Sequence, residues 1–321
     1  MRYGYYPGCS LTNTARPYEV STKAIAGDLG LAFDEVEDWN CCGATEYMAL
    51  NKTAAYALIG RNLALAEKSG MRELVAPCSA CYLNLRKTDH YMKKYKPLAK
   101  ATNEALAAGG LHYDPGSLAV RHLLDVIIND VGLDAISAKV TRPLTGLRVA
   151  PYYGCMIVRP EFDGATLGST EYPMQLDHLM ETLGAEVVDF PLKTHCCGGH
   201  MTQISADTAY ELIRRLLQNA AEYRADIIVT LCPMCQFNLD AFQSQVNRHF
   251  GTDFHLPVLY FTQMIGLAMG LEPKELAIGR EIVSAASALQ KIGTTVELEE
   301  APKARRKRDD KSLPMPRIRE G

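Results

Sequence analysis

The chain carries ten cysteines, and they fall into one five-member pattern written twice. The first copy is Cys9, then Cys41-Cys42-Gly43, then Cys78-Ser79-Ala80-Cys81. The second is Cys155, then Cys196-Cys197-Gly198-Gly199, then Cys232-Pro233-Met234-Cys235. Cysteines placed for packing alone would not repeat their spacing, so the repeat calls for a chemical cause. Thiolates are soft ligands, and iron–sulfur clusters and zinc are their usual partners. Closed zinc sites take four ligands, commonly from two Cys-x-x-Cys or Cys/His pairs, and each half offers one such pair. A thioredoxin-like Cys-x-x-Cys would use two cysteines per half and leave three idle. A cubane [4Fe–4S] cluster takes four thiolates and leaves one spectator in each half. A cluster using all five accounts for the whole pattern. Neighbouring side chains in extended backbone point apart. Cys41 and Cys42 are therefore expected to serve different irons of one open or fused cluster. Gly43, Gly198 and Gly199 are read as cofactor-binding. They let the backbone pass close and offer N–H groups to thiolate or sulfide. Pro77 and Pro233 are read as stiffeners of the ligand loops.

The elements that position these residues are also duplicated. Leu29-Gly30 matches Leu183-Gly184 at an offset of 154, and Ala55 to Leu63 matches Ala209 to Leu217 at the same offset. Tyr5-Tyr6-Pro7-Gly8-Cys9 matches Tyr152-Tyr153-Gly154-Cys155 with one proline dropped. Asn-Leu follows each Cys-x-x-Cys, as Asn84-Leu85 and Asn238-Leu239. Val120 to Leu133 aligns with Val258 to Leu271 at an offset of 138, and each is read as a final helix. The first half therefore holds about sixteen extra residues, assigned to the Lys-rich stretch from Lys93 to Pro115. In the second half, strands are expected at Leu147–Tyr153, Glu186–Phe190 and Asp226–Leu231. Helices are expected at Tyr172–Leu183, capped by Gly184, and at Asp207–Tyr223. Strand–helix–strand order implies α/β architecture with mostly parallel sheets and sites beyond the strand ends. The expected organisation is two similar domains, 1–145 and 146–290, with the clusters at strand ends facing a central cleft. Residues 291–321, rich in Lys, Arg and Pro, are read as a disordered polar tail.

The cysteine spacing resembles the duplicated cysteine-rich "CCG" pattern of the heterodisulfide reductase B-subunit family, over residues 1 to about 290. That resemblance implies two non-cubane [4Fe–4S] clusters with a disulfide reduced between them, of the coenzyme M–coenzyme B type. By position, Cys9, Cys41, Cys42, Cys78 and Cys81 would hold one. Cys155, Cys196, Cys197, Cys232 and Cys235 would hold the other. The second copy's gaps of forty and thirty-four residues fall just outside the family's usual range, which could reshape the substrate pocket. The resemblance also implies two partners: a ferredoxin-like iron–sulfur C subunit, and, behind it, a flavoprotein A subunit. The alternatives are an electron-relay subunit of a flavin dehydrogenase or a heterodisulfide reductase-like subunit of sulfur oxidation.

Disulfide cleavage takes two electrons, and two clusters at a shared cleft could each supply one. No G-x-G-x-x-G or Walker A sequence is present, so electrons are expected from another protein. Gly164 to Thr170 resembles a phosphate loop without its lysine and is read as a plain loop. His195 and His200 flank the second Cys-Cys-Gly-Gly. They are the candidate proton donors, because histidine titrates near neutrality; the first copy has Asn40 and Thr45 there. His122 is read as structural, Arg159 as an anion contact or a surface ion pair, and Arg86 as a surface residue. A net charge of −3 argues against general nucleic-acid binding, and 47% hydrophobic with 22% charged residues is ordinary for a soluble protein. The N-terminal residues lack a secretory h-region, so a cytoplasmic protein with unpaired cysteines is expected.

Overall fold

The computed structural model describes residues 1–44, 47–162 and 168–294. The first half runs β1 (Arg2–Tyr5), α1 (Gly8–Leu11), α2 (Arg16–Ala26), β2 (Ala32–Glu35), α3 (Tyr47–Leu50), α4 (Lys52–Lys68), β3 (Glu73–Ala76), α5 (Ser79–Lys94), α6 (Lys96–Ala107), β4 (Ala119–His122), α7 (Leu123–Val126) and α8 (Leu133–Ser137). A single π-helical stretch, Ile127–Val131, joins the last two helices. The second half runs β5 (Arg148–Tyr152), α9 (Gln175–Thr182), β6 (Glu186–Val187), α10 (Met201–Ile204), α11 (Ala206–Glu222), β7 (Ile227–Thr230), α12 (Pro233–Ala241), α13 (Gln243–Phe250), β8 (Val258–Tyr260), α14 (Phe261–Ala268) and α15 (Ala286–Leu289).

Each half forms one four-stranded, all-parallel sheet, ordered β2-β1-β3-β4 and β6-β5-β7-β8. The central strands are buried along almost their whole length, as expected of a parallel sheet covered by helices. The duplication read from the sequence is therefore a duplication of topology. Two details differ from expectation. Val120–Leu133 and Val258–Leu271 are not single helices: each begins as the fourth strand and turns straight into a helix. His122 and Tyr260 stand at the joints, as N-caps of α7 and α14. The extra residues of the first half are helical, since α5 and α6 have 16 and 12 residues against 9 and 8 in α12 and α13.

The halves pack through α2 and α14. Tyr18 stacks on Tyr260 with ring centroids 4.4 Å apart and planes 8° from parallel. The Ser21 and Thr262 hydroxyls hydrogen-bond at 2.7 Å. Both helix faces are buried, and the four side chains form part of the core shared by the two halves. Of the stretch read as a tail, residues 291–294 are held in place. The Gly293 N–H donates to Thr145 O at 2.8 Å, and Lys291 pairs with Asp226. Residues 295–321 lie outside the described residues, as does most of the Gly164–Thr170 loop.

Candidate metal centre

Cys78 and Cys232 stand where β3 and β7 end, as the N-caps of α5 and α12. Cys81 and Cys235 lie one turn into those helices, so each Cys-x-x-Cys spans a helix start. Backbone N–H groups exposed there favour negative charge on sulfur. Cys9 and Cys155 follow β1 and β5 through Gly8 and Gly154. These glycines hold φ of +72° and +68°, and a Cβ would come within 2.8 Å of Cys81 Sγ or 2.9 Å of Cys235 Sγ. Only glycine meets both demands. Neither stands out in the sequence by itself, although both belong to the repeated Gly-Cys.

Cys41 and Cys196 lie on irregular loops after β2 and β6. The Tyr6 hydroxyl donates to Asn40 O at 2.6 Å, and the Tyr152 hydroxyl to His195 O at 2.7 Å. The two tyrosines thus do the same work on the residue before each Cys-Cys. Tyr152 is the counterpart of Tyr6, and Tyr153 stands in the place of Pro7. From below, Asn84 Nδ2 donates to Cys42 O at 3.0 Å, and Asn238 Nδ2 to Cys197 O at 3.1 Å and Gly199 O at 2.8 Å. The repeated Asn-Leu after each Cys-x-x-Cys is the sequence trace of this clamp.

The loop glycines turn the chain sharply beside the thiols. Gly43, Gly198 and Gly199 all have positive φ. The Gly198 N–H donates to Cys196 Sγ at 3.3 Å, Gly43 and Ala44 N–H groups serve Cys41, and Gly199 N–H serves Cys197. The expected divergence of adjacent cysteines is not found. The Cys41 and Cys42 thiols interact with each other, as do those of Cys196 and Cys197. The turn after each pair, at Gly43 and at Gly198-Gly199, folds N–H groups back onto sulfur.

The ten sulfurs form one unbroken series. Cys9 Sγ lies 3.8 Å from Cys41 Sγ. Contacts continue through Cys42 and Cys81 to Cys78, cross the halves to Cys232, and run on through Cys235, Cys197 and Cys196 to Cys155. Cys41 is held far below the ordinary thiol pKa, first by Cys42 and then by Cys9. Cys196 is held down in the same way by Cys155 and Cys197. Cys232 is pulled down by Cys235 and Cys78. Cys78, Cys81 and Cys235 are pushed up, chiefly by their thiol neighbours and by burial.

All five thiols of the second set line one narrow cavity, together with Ser79, Tyr153, Met156, Gly199 and Met234. Among the described residues, no three His, Cys, Asp or Glu side chains converge as ligands of a single ion. Five thiols around one cavity, with N–H groups aimed at sulfur, instead suit a multi-iron, sulfide-bridged group.

His195 is exposed and His200 half-buried, and neither lines this cavity. Arg159 donates to Thr194 Oγ1 at 3.1 Å and pairs with Glu171 at 3.4 Å, which is the ion-pair reading. Arg86 is not a surface residue. It is half-buried, donates to the Tyr82 hydroxyl at 2.6 Å, and lies 5.7 Å over the rings of both Tyr82 and Phe162. Phe162 comes from the other half, which no local pattern could show. Lys193 also escapes a reading of the sequence. It is 1% exposed and bonds Asp177 at 3.0 Å, and Asp177 in turn accepts from the Tyr153 hydroxyl at 2.7 Å.

Comparison with known proteins agrees with this geometry. The family described as "Cysteine-rich domain" (CCG) matches residues 3–86 and 149–240. The chain is 34% identical over 283 residues to the 8-methylmenaquinol:fumarate reductase membrane anchor subunit of Wolinella succinogenes, covering 88% of this chain and 97% of that protein. It is 32% identical over 290 residues to the B subunit of the ferredoxin/F420H2-dependent CoB-CoM heterodisulfide reductase of Methanosarcina acetivorans, covering 89% and 95%. A solved structure of a hypothetical protein from Helicobacter pylori shares the fold, with a TM-score of 0.69 at 13% identity, over 88% of this chain and 52% of that one. Among the described residues, no helix is long and apolar enough to cross a membrane. With the domain present twice, each copy centred on its own five cysteines, the chain belongs to the CCG cysteine-rich domain family, alongside relatives named as B subunits of heterodisulfide reductase.

Proposed function

We propose that the chain is the catalytic iron–sulfur subunit of a heterodisulfide reductase or a related complex. It would reduce a disulfide of the coenzyme M–coenzyme B kind by two electrons. The observation that carries this reading is the unbroken sulfur series, which brings two complete five-cysteine sets together at Cys78 and Cys232. Cys9, Cys41, Cys42, Cys78 and Cys81 would hold one non-cubane [4Fe–4S] cluster. Cys155, Cys196, Cys197, Cys232 and Cys235 would hold the other. When bound, such groups supply electrons one at a time, and two sets side by side match a two-electron cleavage.

The chain's own residues shape the chemistry around them. Tyr18 and Tyr260, buried and stacked beside Cys78 and Cys232, exclude water from the junction. Gly43, Gly198 and Gly199 keep N–H groups turned to sulfur. His195 and His200, flanking the outer side of the second set, would deliver protons to a departing thiolate. Their replacement by Gln would then lower turnover by about 100-fold. Electrons would come, in the cytoplasm, from a ferredoxin-like C subunit that a flavoprotein A subunit supplies in turn.

Anaerobic purification with the partners tests the proposal. About eight irons per chain and reduction of the CoM–CoB disulfide are expected. A fully loaded chain with roughly four irons or fewer would sink it. A second reading, a subunit of a quinol:fumarate reductase, is favoured by the likeness to the Wolinella succinogenes protein, which is named as the membrane anchor subunit of such an enzyme. A complex that passes quinol electrons to fumarate and leaves every disulfide in a panel intact would establish that reading.

A further inference from the structure

Ser79 belongs to the first half in sequence, yet it lines the cavity of the second cysteine set. It opens α5 beside Cys78 and is 1% exposed. Its Oγ lies 3.4 Å from Nε2 of His122, which is also 1% exposed. Nδ1 of that ring accepts the Leu124 N–H at 3.0 Å, so the neutral imidazole carries its proton on Nε2. That nitrogen cannot accept from Ser79, and its N–H is shared among Ser79 Oγ and the carbonyls of Pro77 and Leu231. The Ser79 O–H has no other hydrogen-bond partner among the described residues. The Tyr153 hydroxyl, the other one at this cavity, is committed to Asp177. Ser79 thus brings a buried donor to the lining of a space bounded chiefly by thiols and thioethers. The duplication supplies no equivalent on the other side. Pro233 stands in the place of Ser79, and Tyr260 in the place of His122.

We infer that Ser79, oriented by His122, donates a hydrogen bond into the second cysteine cavity and holds the reduction potential of the group bound there above that of the first set. The inference rests on the reading that both sets bind iron–sulfur clusters. A hydrogen bond to thiolate or sulfide favours the more negative, reduced form and so raises the potential. Electrons entering the chain then settle first on the second set. Two halves alike in ligands become unlike in redox level through a residue that one half lends the other.

EPR-monitored redox titration of the anaerobically loaded full chain, with iron content read first, tests this. The signal abolished in Cys197→Ala belongs to the second set. In Ser79→Ala, wild-type iron content is expected. The second set's reduction equilibrium should move about tenfold toward the oxidised form, or ~59 mV for one electron, with the first set unmoved. Ser79→Thr, which keeps the hydroxyl, should restore the wild-type value. Unmoved potentials, equal movement of both, or iron lost from Ser79→Ala alone would each overturn the inference. Wild-type protein that binds no iron would instead overturn the cluster reading beneath it.

Discussion

Gly8 and Gly154 decide how near a sulfur can come to the chain. An alanine at either place must hold positive φ and carry a Cβ inside the contact distance of Cys81 or Cys235 Sγ. The backbone cost alone is about 1–2 kcal/mol. Gly8→Ala is expected to lose iron from the first set and Gly154→Ala from the second. Each variant would keep about four of eight irons, read by iron analysis and EPR. His122 makes a different prediction. Burial lowers its pKa to about 4, with the charges of Cys232 and Asp125 opposing. The folded state thus holds the ring neutral, while the unfolded chain binds a proton below about pH 6.5. The unfolded state takes up more protons between pH 6.5 and 4, so stability falls as pH falls through that window, by about 3 kcal/mol in all. Urea midpoints measured across it should fall less steeply in His122→Gln than in wild type. At this scale the sequence is informative about ligands and poor about their supports. Spacing exposes all ten cysteines, because the five-member pattern is written twice. Ser79, Arg86 and Lys193 act through partners far along the chain, and local pattern carries no trace of them.

Among the elements, β4 and β8 are hidden in the sequence. Each is three or four residues long and turns into a helix with no glycine or proline between. The caps are His122 and Tyr260, not the Ser, Thr, Asp or Asn that mark a helix start. By contrast, α4 and α11 are plain, since each runs 17 residues and buries one face. The packing of α2 on α14 lies beyond sequence reasoning altogether. It depends on Tyr18, whose hydroxyl also donates to Pro77 O at 3.0 Å, just before Cys78. Tyr18→Phe keeps the stacked ring and strips that bond from a buried carbonyl. The expected cost is about 1–2 kcal/mol, seen as a lower denaturant midpoint at unchanged slope.

The whole molecule is two copies of one topology, joined by a linker that residues 291–294 clasp. Gly146 sits against the carbonyls of Lys291 and Thr294, and Thr145 O accepts the Gly293 N–H. A chain ended after Thr294 keeps these contacts. One ended after Ala285 loses α15, buried Ala288 and the Lys291–Asp226 pair, and should melt about 5 °C lower by circular dichroism. The duplication tells this much in advance: two cysteine sets, two like topologies, parallel sheets. It does not tell that the two cysteine sets meet, because the offset between repeats fixes each half and says nothing of their docking.

The sulfur series has a buried middle and open ends. Cys9 and Cys196 are exposed, Cys41 and Cys155 half-buried, and the six between them buried. For the metal-free chain this is a gradient of vulnerability. A water-soluble alkylating reagent should label the outer thiols in minutes and reach Cys78 and Cys232 only as the halves come apart. The order of labelling then becomes a clock for the opening of the domain junction, readable by mass spectrometry without any assay of function.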